Sequence, residues 1–267
     1  LDGPFDDLVM LNMDTVVDDE WLERLVEAAE ASPDLHILQS KILLYGTDRI
    51  NSVGNRIHYL GYGSCNGYGQ PTSNGASRAP VDYASGAAML VRRDVFEAIG
   101  LFRDEYFMYY DDMEFGWRAR LAGYNIGLAE RSVCYHKYAA DRILEFLGYA
   151  ERNRLLTLLT LADLRTLLLI APPLVIVQVV MGGFLLLRGT GGIVWTLLTY
   201  FTQRDTWGRI RRWRREIKQL RRRGDAQIVR SFSGSLSGPH LTTPAFRYLC
   251  DPLLRAYWAL AKTLLVW

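Results

Sequence analysis

The chain has 267 residues, of which 49% are hydrophobic and 22% are charged. This apolar fraction excludes a disordered protein, and the length is enough for one sizeable core or a core with a small appendage. The three cysteines, Cys65, Cys134 and Cys250, lie far apart in the sequence. They predict neither a disulfide framework nor a zinc site, and they favour a reducing compartment.

The formal net charge of +2 conceals two halves of opposite sign. Residues 1–165 contain 16 Lys and Arg against 25 Asp and Glu, whereas residues 166–267 contain 15 against 4. An acidic front half and a basic, apolar back half indicate two parts of the chain with different surroundings.

The front half alternates short apolar runs with helix signals. The predicted strands cover residues 8–11, 36–44, 81–92, 125–128 and 132–135. The predicted helices cover 20–31, with Asp18 or Asp19 as its N-cap, then 94–100 and 111–122. A Gly-, Asn-, Ser- and Tyr-rich stretch at 46–80 predicts a long loop with room for one hairpin. This alternation is typical of an α/β fold.

The back half changes character. Residues 141–165 predict a linker helix. Residues 166–187 are 22 positions without a charge, which is long enough to span a bilayer, and residues 189–203 are a second uncharged run. We therefore predict a transmembrane or re-entrant segment over 166–203, with a buried core helix as the alternative.

The C-terminal region, residues 204–267, predicts a basic and amphipathic tail. Residues 204–230 hold 11 Lys and Arg against three acids, and residues 246–267 are typical of an interfacial helix. Beside an anchor, attraction to anionic lipid headgroups explains the basic run better than nucleic-acid binding. By the positive-inside rule the basic run stays cytoplasmic, so a helical hairpin would keep the acidic domain on the same side, whereas a single crossing would not.

The first candidate site follows the first predicted strand. Asn12 and Asp14 lie where that strand ends, and α/β sheets bind ligands at the carboxyl ends of their strands. A carboxylate at this position can hold Mg²⁺ or Mn²⁺ against a diphosphate, because hard cations take oxygen ligands. The alternative is an aspartate that only stabilises a turn.

Two further candidates are Asp111-Asp112 and His136. The aspartate pair follows an aromatic run and starts a helix, which fits a shielded general base or simple helix capping. His136 follows the last predicted strand and is either structural or a metal ligand together with Asp14.

As an ordered set, these segments resemble the GT-A family 2 glycosyltransferases, in particular the rhamnosyltransferase-like, membrane-associated members that build bacterial surface polysaccharides. The resemblance rests on LNMDT at 11–15, VDYASGAAMLVRRDVFEAIGLF at 81–102, YFMYYDDMEFGWRARLAGY at 106–124, VCYHK at 133–137 and ERNRLL at 151–156. It implies a Rossmann-like GT-A domain over 1–140, followed by an α-helical membrane-associated region.

The resemblance also implies roles for residues that bind the donor. Asn12 and Asp14 match the family's metal- and diphosphate-binding D-x-D, and because Asn replaces the first acid, Asp14 is the surer ligand. His136 matches a position that often completes the metal site. Ser85, Gly86 and Ala87 fall where the backbone passes close to the donor sugar, and glycine suits such a close approach.

The remaining implied roles concern catalysis. Asp111-Asp112 matches the family's Glu-Asp pair, and Asp112 is then the catalytic base. Trp117 and Arg118 follow the base and are candidates to face an acceptor, with core packing as the alternative for Trp117. The implied reaction is a single inverting displacement at the anomeric carbon of a nucleotide sugar.

The expected activity is therefore sugar transfer from a nucleotide-sugar donor to a glycan or lipid-linked acceptor, assisted by Mg²⁺ or Mn²⁺. The expected location is the cytoplasmic face of the inner membrane. Because the family binds its nucleotide with strands that precede D-x-D, we expect this sequence to be an N-terminally truncated portion of a longer enzyme.

Two alternatives remain open from the sequence. One is a catalytically incompetent, membrane-associated scaffold with a degenerate transferase domain. The other is a processive synthase, which the lack of a Q-x-x-R-W motif in this sequence disfavours.

Overall fold

The computed structural model describes residues 5–74, 80–138, 146–236 and 246–267. The chain divides into two compact units. The first comprises Leu1–Ile57, Gly63–Phe102 and Asp112–Ala139, and the second comprises His58–Tyr62, Arg103–Asp111 and Ala140–Trp267. Two short segments of the predicted catalytic domain, 58–62 and 103–111, thus group with the helical part of the chain.

The first unit is built on a six-stranded mixed sheet and a separate two-stranded sheet. The strands are β1 (Asp7–Leu11), β2 (Thr15–Val17), β3 (Ile37–Leu44), β4 (Ile50–Ser52), β5 (Asn55–Ile57), β6 (Gly63–Cys65), β7 (Ala88–Arg92) and β8 (Ile126–His136). The order across the large sheet is β1-β7-β3-β8-β2, with β4 paired to the end of β3. Only β3 and β8 run parallel among the described pairs.

Helices flank this sheet, which confirms the predicted α/β class. They are α1 (Trp21–Ala31), α2 (Arg93–Ile99) and α3 (Asp111–Leu121), whose first residue belongs to the second unit. Helix α1 buries Trp21, Leu25 and Ala29, which are spaced four residues apart and form one face. This face packs in one cluster with Leu38 and Ile42 of β3.

Several predicted boundaries are wrong. Residue 20, not Asp18 or Asp19, precedes α1, and no side chain caps it. The strand predicted at 81–92 begins only at Ala88, and the strands predicted at 125–128 and 132–135 are one strand, β8. β8 is continuous, and every residue of β3 pairs with it. A shift of register after Ser40 leaves residues 130–132 of β8 without a partner on β3.

Two of four very short strands were not predicted. Strands β5 and β6 pair as the one hairpin allowed within the stretch 46–80, whereas β4 in the same stretch and β2 after Asp14 were not expected. Three residues are too few for an alternating pattern to be visible, so only pairing with a neighbour defines these strands.

The second unit is helical. Its helices are α4 (Leu147–Leu161), α5 (Leu164–Leu187), α6 (Gly191–Thr202), α7 (Arg204–Leu220), α8 (Asp225–Ile228) and α9 (Asp251–Ala261). Residues 141–145 of the predicted linker helix lie outside the described residues. The predicted segment 166–203 comprises two helices, because the chain turns at Arg188–Thr190 with Gly189 at φ 75°.

Helix α5 is the one described helix that is long and apolar enough to cross a membrane, judged by length and composition. Only 11% of its most apolar window is buried. Helix α7 is different, because it buries Thr206, Ile210, Trp213 and Ile217 along one face. Its opposite face carries exposed arginines, so the basic run forms an amphipathic helix.

Helix α3 lies very close to the segment that precedes β7. A Cβ added at Gly116 would be 2.6 Å from the Cβ and 3.1 Å from the Cα of Tyr83. The buried carboxylate of Asp82 holds the same region, since it binds Arg56 and Arg120 at 2.8 Å each. Arg120 is in α3, so an ion pair and a glycine contact fix this helix against residues 82–83.

We therefore predict opposite effects for two helical Gly→Ala substitutions. Alanine normally stabilises a helix interior by about 1 kcal/mol relative to glycine. Gly116→Ala should nevertheless destabilise the protein by about 1–3 kcal/mol, because the methyl group has no room beside Tyr83. Gly208→Ala in α7, where nothing lies within 4 Å, is the control and should stabilise by about 0.5–1 kcal/mol.

Denaturant unfolding of the detergent-solubilised protein measures both changes. Equal stabilisation by the two alanines would contradict the close contact between α3 and Tyr83.

Candidate active site

Three predicted site segments lie at one edge of the large sheet. β1 and β7 are antiparallel with Leu11 opposite Ala88, so Asn12 at the end of β1 lies beside Ala87 at the start of β7. The Asn12 amide donates to the Ala87 carbonyl at 3.0 Å. β8 ends at this edge with His136 opposite Thr15. The sheet therefore brings Asn12–Asp14, Ser85–Ala87 and His136 to the same edge.

Asp14 and His136 are in direct contact. The Nε2 atom of His136 lies 3.2 Å from Oδ1 of Asp14, and its Nδ1 atom lies 3.0 Å from Oδ1 of Asn51. The Asp14 side chain is 42% exposed, whereas that of His136 is 12% exposed. The imidazole is thus held from behind by Asn51, and the carboxylate faces solvent.

This pair fits a divalent cation in its chemistry, since one imidazole nitrogen and one carboxylate suit Mn²⁺ and, less well, Mg²⁺. Within the described parts of the chain no group of three or more His, Cys, Asp or Glu side chains is close enough to hold a metal ion. A cation here would find two protein ligands in Asp14 and His136, and its other ligands would have to come from elsewhere, as is common for hard cations that are bound together with phosphates.

Asp112 lies in the first turn of α3 and faces the loop before β7. Its Oδ2 atom accepts a hydrogen bond from the Gly86 amide at 3.2 Å, and its Oδ1 atom accepts one from the Met113 amide at 2.7 Å. Both donors and the positive end of the helix dipole favour the anionic carboxylate. An anionic carboxylate is the form that a general base requires.

A buried network of polar side chains supports this loop, and the sequence analysis missed it. The Ser85 amide donates to Oε1 of Gln39 at 2.8 Å, and Nε2 of Gln39 donates to Oγ of Ser52 at 3.0 Å. Ser52 in turn donates to Oδ1 of Asn55 at 2.8 Å. The three side chains are at most 2% exposed. The available signal in the sequence was Gln39, the first of three consecutive polar residues, 39–41, inside a strand that is otherwise apolar.

The thiol of Cys65, on β6, interacts electrostatically with Asp112. Burial raises the pKa of its thiol to about 12, and the negative charge of Asp112 contributes to this increase, while a hydrogen bond with Ser52 opposes it. The thiol is therefore neutral at physiological pH, and Cys65 adds no negative charge beside the carboxylate.

Trp117 and Arg118 are buried in the first unit. They are 1% and 2% exposed. Arg118 pairs with Glu114 at 2.9 Å and donates to the carbonyls of Ile99 and Leu101 at the end of α2. This burial favours the core-packing alternative for Trp117, and the partners of Arg118 give it a structural role.

Asp111 and Asp112 are adjacent in the chain but belong to different units. Asp112 is the member of the pair that the structure connects to Gly86. Asn12 is exposed, and its backbone N–H donates the hydrogen bond that links the end of β1 to Ala87. The structure thus connects Asn12, Ala87, Gly86 and Asp112 through backbone and carboxylate contacts.

Comparison with characterised proteins gives partial relatives. A segment of 63 residues, 24% of this chain, is 40% identical to the low-salt glycan biosynthesis hexosyltransferase Agl10 of Haloferax volcanii. A segment of 62 residues, 23% of this chain, is 39% identical to the N-acetylglucosaminyl-diphospho-decaprenol L-rhamnosyltransferase of Mycobacterium tuberculosis. Each matched segment spans only 20% of the relative's length.

Among solved structures, GalNAc-T7 with UDP, GalNAc and Mn²⁺ aligns with a TM-score of 0.42 and 12% identity, covering 58% of this chain and 31% of that one. The family comparison covers far more of the chain. The sequence model described as glycosyl transferase family group 2 matches residues 8–267, which include the sheet edge, Asp112 and the helical unit. The chain is therefore a member of glycosyl transferase family group 2, with the mixed α/β sheet and flanking helices expected of a GT-A-like glycosyltransferase.

Proposed function

We propose that this protein transfers a sugar, with inversion, from a nucleotide-sugar donor to a glycan or lipid-linked acceptor in cell-surface polysaccharide synthesis. The observation that carries the proposal is the hydrogen bond from the Gly86 amide to the Asp112 carboxylate at 3.2 Å. It joins the candidate base to the loop that approaches the donor. The loop is joined to the Asp14 end of β1 by the contact between Asn12 and Ala87.

In the proposed reaction Asp112 accepts the proton of an acceptor hydroxyl group. The freed oxygen attacks the anomeric carbon from the face opposite the diphosphate, the new glycosidic bond forms, and the nucleoside diphosphate leaves with the electrons of the broken C–O bond. The Met113 and Gly86 amides hold the carboxylate in place during this step. Asp111 would remain a neighbouring helix-terminal acid that adds negative charge near the proton acceptor.

Asp14 and His136 are the proposed metal ligands, and Ser85, Gly86 and Ala87 are the proposed donor-sugar contacts together with Asn12. A Mg²⁺ or Mn²⁺ ion bound there would neutralise charge on the diphosphate. The contact of 3.2 Å between Nε2 of His136 and Oδ1 of Asp14 supports a shared ligand role.

The acceptor and location are proposed from two further observations. The name of the mycobacterial relative includes a diphospho-decaprenol, which supports a polyprenol-linked acceptor here. The exposed apolar surface of α5 and the basic face of α7 support association with membrane lipids. We place the catalytic domain at the cytoplasmic face of the inner membrane on the same grounds, and we expect no nucleic-acid partner.

Substitution of Asp112 tests its proposed role as the general base. Asp112→Asn should lower transfer by about 10²–10⁴-fold, because the amide cannot accept the proton. The assay follows nucleoside diphosphate release from a panel of UDP-, GDP- and dTDP-sugars with a polyprenyl-diphosphate-linked GlcNAc acceptor. Asp94→Asn is the matched control, since Asp94 also lies in the first turn of a helix of the same unit. Turnover of Asp112→Asn at the rate of the control would contradict the assignment.

The second prediction concerns the metal. Asp14→Asn should weaken Mn²⁺ binding in the presence of UDP, GDP or dTDP by about tenfold or more, the scale on which losses around a metal site are felt. Asp34→Asn removes an exposed charge from the same unit and should leave binding unchanged. Isothermal titration calorimetry measures the Mn²⁺ affinity of both variants. A wild-type protein that binds no Mn²⁺ with any of the three nucleotides would favour the scaffold alternative.

The third prediction concerns the membrane. The wild-type protein should remain in the membrane fraction after washes with 1 M NaCl and with alkaline carbonate. Ile176→Asp combined with Val180→Asp should release it, since each charge in a bilayer costs about 2.5–3.5 kcal/mol. Leu22→Asp combined with Val26→Asp is the matched control, because these residues are exposed with the same spacing on α1. Release of wild-type protein by salt alone would contradict a membrane-inserted α5.

A further inference from the structure

The segment just before the aspartate pair has an unusual backbone. Phe107, Tyr109 and Tyr110 have φ values of 53°, 60° and 69°. This left-handed region is disfavoured for bulky side chains, because Cβ crowds the carbonyl oxygen. Three such residues within four positions persist only where surrounding contacts hold them.

One buried side chain on α4 gathers the carbonyls of this segment. Nδ2 of Asn153 lies 2.7 Å from the Tyr106 carbonyl oxygen and 2.8 Å from those of Met108 and Tyr109. Asn153 is fully buried, with 0% exposure. Three carbonyl oxygens therefore converge on one NH₂ group. Because this group has only two protons, at least one proton is shared between two of the carbonyls.

A neighbour fixes which end of the Asn153 amide faces the segment. Nε of Arg152 donates to Oδ1 of Asn153 at 3.0 Å, so the oxygen points toward Arg152 and the NH₂ group points toward the carbonyls. Arg152 also donates to the Glu105 carbonyl at 2.6 Å. One turn further along α4, Oγ1 of Thr157 lies 3.0 Å from the Tyr106 hydroxyl oxygen.

The other two charged residues of the ERNR motif at 151–154 are Glu151 and Arg154, and they form an ion pair elsewhere in the second unit. Arg154 pairs with Glu151 at 2.7 Å and donates to the Leu60 carbonyl at 2.6 Å. Its guanidinium lies 4.1 Å from the ring centroid of Tyr62. The motif therefore divides its contacts. Residues 152 and 153 bind the segment before Asp111, whereas Arg154, which is paired with Glu151, contacts Leu60 and Tyr62.

The N-terminal end of the segment is held separately. The Glu105 carboxylate accepts from the Tyr200 hydroxyl at 2.7 Å and pairs with Arg209 at 2.8 Å. Arg103 stacks over the ring of Trp213 at 4.1 Å. Loss of Asn153 would thus release the central carbonyls while these contacts to α6 and α7 keep residues 103–105 in place.

We propose that Asn153 is a positioning residue for catalysis. Its amide holds residues 106–109 in the conformation from which the chain continues into α3 at Asp111, the residue bonded to the candidate base Asp112. This proposal rests on the proposed function, in which Asp112 is the base. Asn153 itself would contact neither donor nor acceptor.

The test compares Asn153→Asp with Thr160→Val in the full chain in detergent. Aspartate has the size of asparagine but presents a second oxygen to the three carbonyls instead of two donors. Thr160 is a buried polar residue of the same helix whose hydroxyl bonds only to the α4 carbonyls of Leu156 and Thr157, and valine has its shape. Three quantities are measured: amide hydrogen exchange over residues 106–113, kcat, and KM for the donor that the panel identifies.

We expect Asn153→Asp to lower kcat about 10²-fold, the cost of a misplacement of about 1 Å. KM for the donor should stay within about threefold, because the proposed donor contacts lie outside this segment. Exchange over residues 106–112 should rise by about tenfold. Thr160→Val should leave all three within about twofold.

The outcomes separate the possibilities. Faster exchange with unchanged kcat, or a loss in kcat matched by Thr160→Val, would overturn the proposal. If Asn153→Asp fails to fold, Asn153→Ala and Thr157→Val take its place with smaller effects in the same direction. Thr157→Val removes the bond to the Tyr106 hydroxyl and the bond that Thr157 donates to the Asn153 carbonyl within α4. A wild-type protein inactive with every donor would instead overturn the proposed function, and the exchange comparison would still decide whether Asn153 holds the segment.

Discussion

The first unit depends on how closely α3 approaches the segment before β7. Gly116 allows this approach because a side chain there would overlap Tyr83, and the Asp82 carboxylate draws Arg120 of the same helix toward it. With α3 at this distance, Asp112 in its first turn reaches the Gly86 amide. A glycine contact and a buried ion pair thus set the position of the candidate base.

The site is largely built from backbone amides and buried amide side chains. The Gly86 and Met113 amides hold the Asp112 carboxylate, and Gln39 holds the Ser85 amide next to Gly86. These groups carry no net charge, and they orient the carboxylate through hydrogen bonds. The Asp14–His136 pair lies at the edge of the sheet where β1 and β8 end.

The second unit contains both the apolar helix α5 and the chain segment that precedes the aspartate pair, two features that lie far apart in the sequence. Its α5 is apolar and exposed along most of its length, and its α7 has a basic outer face. The same unit contains residues 103–111, held by α4 through Asn153 and by α6 and α7 through Glu105. Helix α7, whose outer face is basic, therefore also holds the chain segment that precedes the aspartate pair, through Arg209 and Trp213.

The sequence by itself determined the α/β class, the apolar helix after Arg165, and the family, because period, length and ordered motifs are local properties. It also identified Asp14, Asp112 and His136 as candidates. Only the tertiary structure decided that Trp117 and Arg118 are buried, that β2 and β4 exist, and that Gln39 and Asn153 bind the backbone of residues 85 and 106–109. The physical reason is that burial, three-residue strands and a shared amide donor all depend on partners from distant parts of the chain.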